Sequence, residues 1–143
     1  MKQIEKIAAA KPFGIVLREK DLPVKEYSEL ARQVRDICRS ADTSLIVHSH
    51  PAVARELGIP ALHMPLDALG KMSSEERKEF EVLGASCHSV EDVLRAKAYG
   101  CDYVTAGHVY ATDCKPGLPP RGADFLAEVC GPAAPCRCLP WAA

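Results

Sequence analysis

Residues 84–122 read G-A-S-C-H-S-V-E-D-V-L-R-A-K-A-Y-G-C-D-Y-V-T-A-G-H-V-Y-A-T-D-C-K-P-G-L-P-P-R-G, and they carry the strongest structural signal in the chain. A short apolar strand at 103–106 leads directly into Gly107 and His108. Glycine allows the backbone to turn sharply at the end of a strand. In α/β barrels the functional residues follow the carboxyl ends of the strands. This segment therefore predicts a parallel α/β fold with a candidate site at His108.

The same unit, a short apolar run followed by a segment of helical period, recurs along the chain. Such alternation predicts a parallel sheet. A closed barrel has eight strands and about 250 residues, whereas this chain has 143 residues. We predict an incomplete (β/α)₈ TIM-type barrel with about five to six parallel strands and flanking helices. Clear strands are predicted at 13–17, 45–47, 61–64, 82–86 and 103–106, and helices at 3–10, 24–39, 51–57, 73–80, 90–99 and 122–130.

Composition excludes several classes of protein. The net charge is −1, without a basic stripe, so we expect no nucleic-acid partner. No apolar run approaches 18 residues and no signal-peptide pattern opens the chain, so we expect no membrane partner and a cytoplasmic location. The seven cysteines are odd in number and scattered. That pattern does not indicate a disulfide framework.

Three motifs together resemble the superfamily of thiamine phosphate synthase and thiazole tautomerase (TenI-like). They are I-V-L-R-E-K-D-L at 15–22, G-A-S-C-H-S-V-E-D at 84–92, and the segment at 102–115. The resemblance extends over residues 3 to about 130 and is closest to the tautomerase branch. It implies a barrel that binds a small phosphorylated thiazole and acts in thiamine biosynthesis, without a cofactor.

The resemblance also implies roles for particular residues. His108 is the implied catalytic acid/base, which moves a proton to aromatise a thiazole carboxylate phosphate. An imidazole suits this task because it accepts and donates protons near neutral pH. The alternative for His108 is a turn histidine without a functional role. For Arg18 and Lys20 the alternative is a cluster of solvated charges at the end of a strand. The implied substrate-binding residues are Arg18, Lys20, His48, Ser86, Thr112 and Lys115.

Two enzymes of the superfamily remain open, and the sequence favours the tautomerase. Thiamine phosphate synthases carry an Asn-Asp pair after the third barrel strand and an acid shortly after the fourth. Those places hold His48-Ser49 and M-P-L at 64–66, with Asp67 displaced. Because magnesium prefers oxygen ligands, we expect thiazole tautomerase rather than thiamine phosphate synthase.

A metal site is the alternative interpretation of the histidines, because imidazole is a common zinc ligand. All five histidines fall at or just after predicted strand ends. The ligand pattern is incomplete, and we predict no metal. The histidines concerned are His48, His50, His63, His88 and His108.

Both ends of the chain depart from the superfamily pattern, so we expect a truncated barrel. The superfamily has a strand before the first predicted helix, and a further strand and glycine turn where 134–143 read A-P-C-R-C-L-P-W-A-A. Residues 135–143 can be written with permitted codons that encode V-P-V-L-A-V-G-G when they are read two bases later. That shifted sequence matches the superfamily's strand and glycine turn, which indicates a frameshift. We therefore assign 1–130 to a partial TIM-barrel domain and 131–143 to an irregular, frameshifted tail.

Truncation leaves enzymatic activity uncertain and raises a third functional hypothesis. Lost terminal strands would expose the edges of the predicted strands at 13–17 and 103–106. Exposed apolar edges pair readily with another chain. The third hypothesis is therefore a non-catalytic barrel fragment whose partner is a second copy of itself.

Overall fold

The structure is a computed structural model and describes residues 1–107, 109–110, 120–133 and 136–141. The chain divides into two compact units, Met1–His63 and Met64–Ala143. Within the described part, no helix has both the length and the apolar character needed to cross a membrane.

The first unit alternates helices with three parallel strands. Register pairs Ile15 with Leu45 and Ile46 with Ala61, so the strand ends lie side by side. The unit boundary falls within the third strand. The elements are α1 (Lys2–Ala9), β1 (Ile15–Leu17), α2 (Val24–Ser40), β2 (Leu45–His48), α3 (Pro51–Glu56) and β3 (Ala61–Pro65).

Helix α2 covers the sheet of the first unit with one apolar face. Its buried residues are Tyr27, Ala31, Val34 and Cys38, which recur at helical spacing. The Thr43 hydroxyl donates to the Ala8 carbonyl at 3.0 Å and ties α1 to the end of α2. Strands whose faces are covered by helices are hydrophobic along most of their length, and the strands of this sheet have that character.

The second unit repeats the pattern with three more parallel strands. Asp102 joins the strands, since its carboxylate accepts from the Leu83 N–H at 2.8 Å and its carbonyl accepts from the Arg137 N–H at 3.0 Å. The elements are α4 (Leu66–Leu69), α5 (Ser74–Lys78), β4 (Val82–Cys87), α6 (Val90–Ala98), β5 (Tyr103–Gly107), α7 (Gly122–Ala133) and β6 (Arg137–Trp141).

Local signals set the helix ends. The Ser89 hydroxyl accepts from the Asp92 N–H at 3.1 Å, which is the expected N-cap. The Asp92 carboxylate in turn accepts from the His88 N–H at 2.8 Å. Gly58 and Gly100 follow the ends of their helices with φ of 60° and 83°, a conformation that glycine adopts readily.

The C-terminal segment differs from the expected irregular tail. Helix α7 continues to Ala133, and Arg137–Trp141 forms β6, which pairs with β5 in parallel register. The pairing supplies partners for the backbone groups of β5, and an outer strand tolerates a proline such as Pro140. The predicted exposed edge at 103–106 is therefore wrong, since β5 lies between β4 and β6. The domain boundary at 130 and the frameshift stay predictions.

Candidate functional site

In the first unit, charged or ionisable residues follow β1, end β2 and lie beside the end of β2 on β3. Arg18 and Lys20 follow β1 and are exposed. His48 ends β2, and the register pairs it with His63 on β3. Because the strands are parallel, their carboxyl ends meet at one edge of the sheet. This edge is the candidate site of the first unit.

The His48 and His63 rings form the centre of this edge. Their centroids lie 5.2 Å apart at an interplanar angle of 25°. His63 is only 3% exposed. The Ser49 hydroxyl lies 2.8 Å from His48 Nδ1. Ser49 has φ of 64°, an unusual value for a residue other than glycine, which marks this turn as conformationally strained.

Burial and neighbouring cations keep both rings uncharged. Desolvation, with the charges of Arg18 and Lys20 adding to it, lowers the pKa of His48 to about 4. Desolvation, followed by His48 and Arg18, lowers the pKa of His63 to about 3. At neutral pH the positive charge of this edge therefore comes from Arg18 and Lys20.

Tyr27, which sequence reasoning assigned no role, fixes the position of this edge. Its hydroxyl donates to the Leu17 carbonyl at 2.8 Å and accepts from the His48 N–H at 3.3 Å. The ring lies against His50, with centroids 4.1 Å apart. Burial raises the pKa of Tyr27 to about 12, so the hydroxyl stays protonated and can donate. In the sequence, the one indication of this role is the position of Tyr27 on the apolar face of α2.

The second unit carries a separate group of polar residues at the ends of β4 and β5. The Thr105 hydroxyl lies 3.5 Å from that of Ser86. His88 Nδ1 lies 3.0 Å from the Gly107 carbonyl oxygen. Arg121, just before α7, donates to the His88 carbonyl. These contacts hold the backbone at the end of β5.

The predicted site residues are thus only partly located. Arg18, Lys20 and His48 come together in the first unit, and Ser86 lies in the second. Their roles as substrate ligands stay predictions. The other three predicted site residues, His108, Thr112 and Lys115, lie outside the described residues.

The residues around His48 and His63 do not fit a magnesium ion. Their described side-chain donors are imidazoles and the Ser49 hydroxyl, whereas magnesium prefers carboxylate oxygens. Asp67, the nearest acid in sequence, is exposed and pairs with Arg95 at 3.2 Å. Over the described ranges, no group of three or more His, Cys, Asp or Glu side chains is arranged to hold a metal ion.

Comparisons with known proteins indicate one family. The family model described as thiamine monophosphate synthase matches residues 1–143. A thiamine-phosphate synthase of Caldanaerobacter subterraneus subsp. tengcongensis is 29% identical over 80% of this chain and 54% of its own length. The chloroplastic thiamine biosynthetic bifunctional enzyme TH1 of Arabidopsis thaliana is 31% identical over 81% of this chain and 22% of its own length. The chain thus spans about half the length of the first relative and about a fifth of the second.

A solved structure supports the fold. The thiamine phosphate pyrophosphorylase of Pyrococcus furiosus superposes with a TM-score of 0.73 at 22% identity, over 91% of this chain and 62% of that one. The likeness confirms the predicted fold class, an incomplete (β/α) barrel of parallel strands with flanking helices.

Proposed function

The chain belongs to the thiamine monophosphate synthase family, and on that basis we propose that it acts in thiamine biosynthesis as a thiamine phosphate synthase. In this role it binds a phosphorylated thiazole and joins it to a phosphorylated pyrimidine. The names of its relatives favour this reaction over the tautomerase reaction that the sequence motifs alone favour.

One observation carries the proposal: two cations that follow β1 lie near the uncharged imidazole that ends β2, which in turn stacks on His63 of β3. Arg18 and Lys20 are close enough to His48 for their charges to lower its pKa. A guanidinium binds phosphate through paired hydrogen bonds, and an ammonium binds it as a point charge. The neutral rings of His48 and His63 offer polar contacts without adding charge. This arrangement suits the phosphate of a thiazole substrate.

A second candidate is the thiazole tautomerase, and the end of β2 favours it. The resemblance places an Asn-Asp pair of the synthases where this chain has His48 and Ser49, with 2.8 Å between the Ser49 hydroxyl and the ring. The described residues there do not fit magnesium. A proton transfer by the predicted acid/base His108 needs a bound thiazole phosphate and no pyrophosphate.

Turnover with two substrate sets separates the candidates. The purified chain is given thiazole phosphate with pyrimidine pyrophosphate, or the thiazole carboxylate phosphate tautomer alone, and the products are separated by chromatography. Release of thiamine phosphate supports the synthase. Isomerisation alone supports the tautomerase, and in that case His108→Ala should abolish it. A folded chain that turns over neither set contradicts the proposed function.

Arg18→Gln tests the cationic edge itself. Removing the guanidinium should lower kcat/KM for the productive reaction by about tenfold or more, as expected for a charged hydrogen bond to phosphate. Arg39→Gln is the matched control, because Arg39 lies in the last turn of α2, away from the strand ends that carry Arg18. An equal loss in both variants would contradict a specific role for Arg18.

A further inference from the structure

Helix α7 and strand β6 of the second unit hold two cysteines beside each other. The helix packs on β6, and its Val129 is fully buried, so this part of α7 lies against the sheet. Cys130 is the next residue of α7, and Cys138 lies on β6 opposite Val104 of β5. The Cys138 thiol is hydrogen-bonded to Cys130. We call Cys130 and Cys138 the thiol pair.

Exposure to solvent separates the thiol pair from the buried cysteines. Cys38, Cys87 and Cys101 are buried, whereas both members of the pair are half-buried and carry free thiols. Oxidation of a thiol depends on its exposure, so a small oxidant can reach the pair. The described residues contain no group of three or more side chains arranged to hold a metal ion. The chemistry left to the pair is therefore that of two adjacent thiols.

Cys136 is the competing thiol, because it is also half-buried and lies two positions before Cys138. Its Sγ donates to the Arg137 carbonyl oxygen at 3.9 Å, so this thiol is bonded to the next peptide group. The Cys138 thiol is bonded to Cys130 instead. Since a disulfide forms only between sulfurs that can approach each other without backbone movement, the fold favours Cys130 over Cys136 as the partner of Cys138.

The two members of the pair differ in their roles in the hydrogen bond. Burial, followed by the bond to Cys130, raises the pKa of the Cys138 thiol to about 12, so this thiol keeps its proton at neutral pH and donates it. A thiol attacks a disulfide only after it has lost its proton. Cys130, which accepts the bond, is therefore the sulfur that attacks first.

We propose that Cys130 and Cys138 form a reversible disulfide when the chain meets a low-molecular-weight disulfide such as glutathione disulfide. Cys130 attacks one sulfur of the oxidant, the S–S bond of the oxidant breaks, and the first small thiol leaves with the Cys130 proton. Cys138 then attacks Cys130 in the mixed disulfide, and the second small thiol leaves with the Cys138 proton. Two protein thiols are oxidised and one small disulfide is reduced to two thiols. The new bond fastens α7 to β6, and it requires neither a substrate nor the proposed function.

Tryptic peptides report this disulfide directly. Trypsin cuts after Arg121 and Arg137, which places Cys130 in peptide 122–137 and Cys138 in peptide 138–143. The folded chain is treated with glutathione disulfide, its remaining thiols are blocked with N-ethylmaleimide, and the digest is analysed by mass spectrometry. We expect the two peptides to be joined, with fragmentation placing the bond at Cys130, and to separate after treatment with dithiothreitol. Peptides that stay separate, or a bond placed at Cys136, overturn the proposal.

Two serine variants test whether the fold selects the partner of Cys138. Cys136→Ser is the matched control, because it removes the neighbouring thiol and leaves the pair intact. It should keep the yield of joined peptides within about twofold, whereas Cys130→Ser should lower that yield by about tenfold or more. Equal yields from the two variants overturn the proposal. The assignment by fragmentation in the wild type needs neither variant, so it holds even where a substitution impairs folding.

Discussion

The Tyr27 hydroxyl is one group that joins the ends of two strands. It donates to the Leu17 carbonyl at 2.8 Å and accepts from the His48 N–H at 3.3 Å. Tyr27→Phe leaves the buried carbonyl without this donor and should lower the free energy of unfolding by about 1–2 kcal/mol. Urea unfolding of both proteins measures the change.

Tyr110→Phe is the matched control for Tyr27→Phe. Tyr110 is 68% exposed, and its loss of a hydroxyl should change stability by less than about 0.5 kcal/mol. If Tyr27→Phe costs no more than this control, the hydroxyl does not hold the strand ends together.

The two buried imidazoles predict an acid-sensitive first unit. Burial, with Arg18 adding to it, lowers the pKa of His48 to about 4 and that of His63 to about 3, from an ordinary value of 6.5. Between pH 6.5 and the lowered pKa values, the unfolded chain binds more protons than the folded one. The free energy of unfolding is therefore highest above pH 6.5 and falls as the pH drops towards 4 and then 3. NMR titration of the ring signals measures both pKa values.

His48→Gln supplies the control for this pH dependence. Removing one of the two rings should flatten the fall of unfolding free energy between pH 6.5 and 4. Ring signals that titrate near 6.5 in the folded protein would show that burial does not suppress their charge.

At the scale of elements, the contact between β4 and β5 requires a glycine at position 84, because Tyr103 occupies the space of a side chain there. A Cβ at Gly84 would overlap the ring of Tyr103, which is 2% exposed and faces it across the register. Gly84→Ala should therefore destabilise the protein by about 1–3 kcal/mol or more, as overpacking does. Thermal unfolding measures the loss.

The same substitution in α7 should cost much less. Gly131 lies in the helix, and apart from its chain neighbours nothing comes within 4 Å of its Cβ position, so Gly131→Ala should change stability by less than about 1 kcal/mol. Equal effects of the two substitutions would contradict the packing of Tyr103 on Gly84.

Elements with local signals were predictable, and those that depend on distant pairing were not. Strands β1–β5 follow apolar runs, and the stops at Gly58 and Gly100 need a positive φ that glycine supplies. Helix α4 has only one turn, which is too short for a periodic pattern. Strand β6 contains proline and cysteine and is a strand because β5 pairs with it.

At the scale of the whole molecule, the sequence identified the family but only part of the candidate site. Arg18 and Lys20 were assigned to the candidate site through a motif that is contiguous in the chain. The contacts of Tyr27 and His88 join residues separated by 10 to 21 positions, so no local pattern shows them. Self-association through edge strands stays a prediction for the β1 side, where Phe13 is 56% exposed.

The most direct measurement is a titration of the chain with thiazole phosphate while the ring signals of His48 and His63 are followed by NMR. The proposed function predicts saturable shifts of both signals, with inorganic phosphate competing and Arg18→Gln weakening the response by about tenfold. Dispersed signals that do not move at any ligand concentration would show a folded chain without a phosphate site at β1–β3, and would contradict the proposed function.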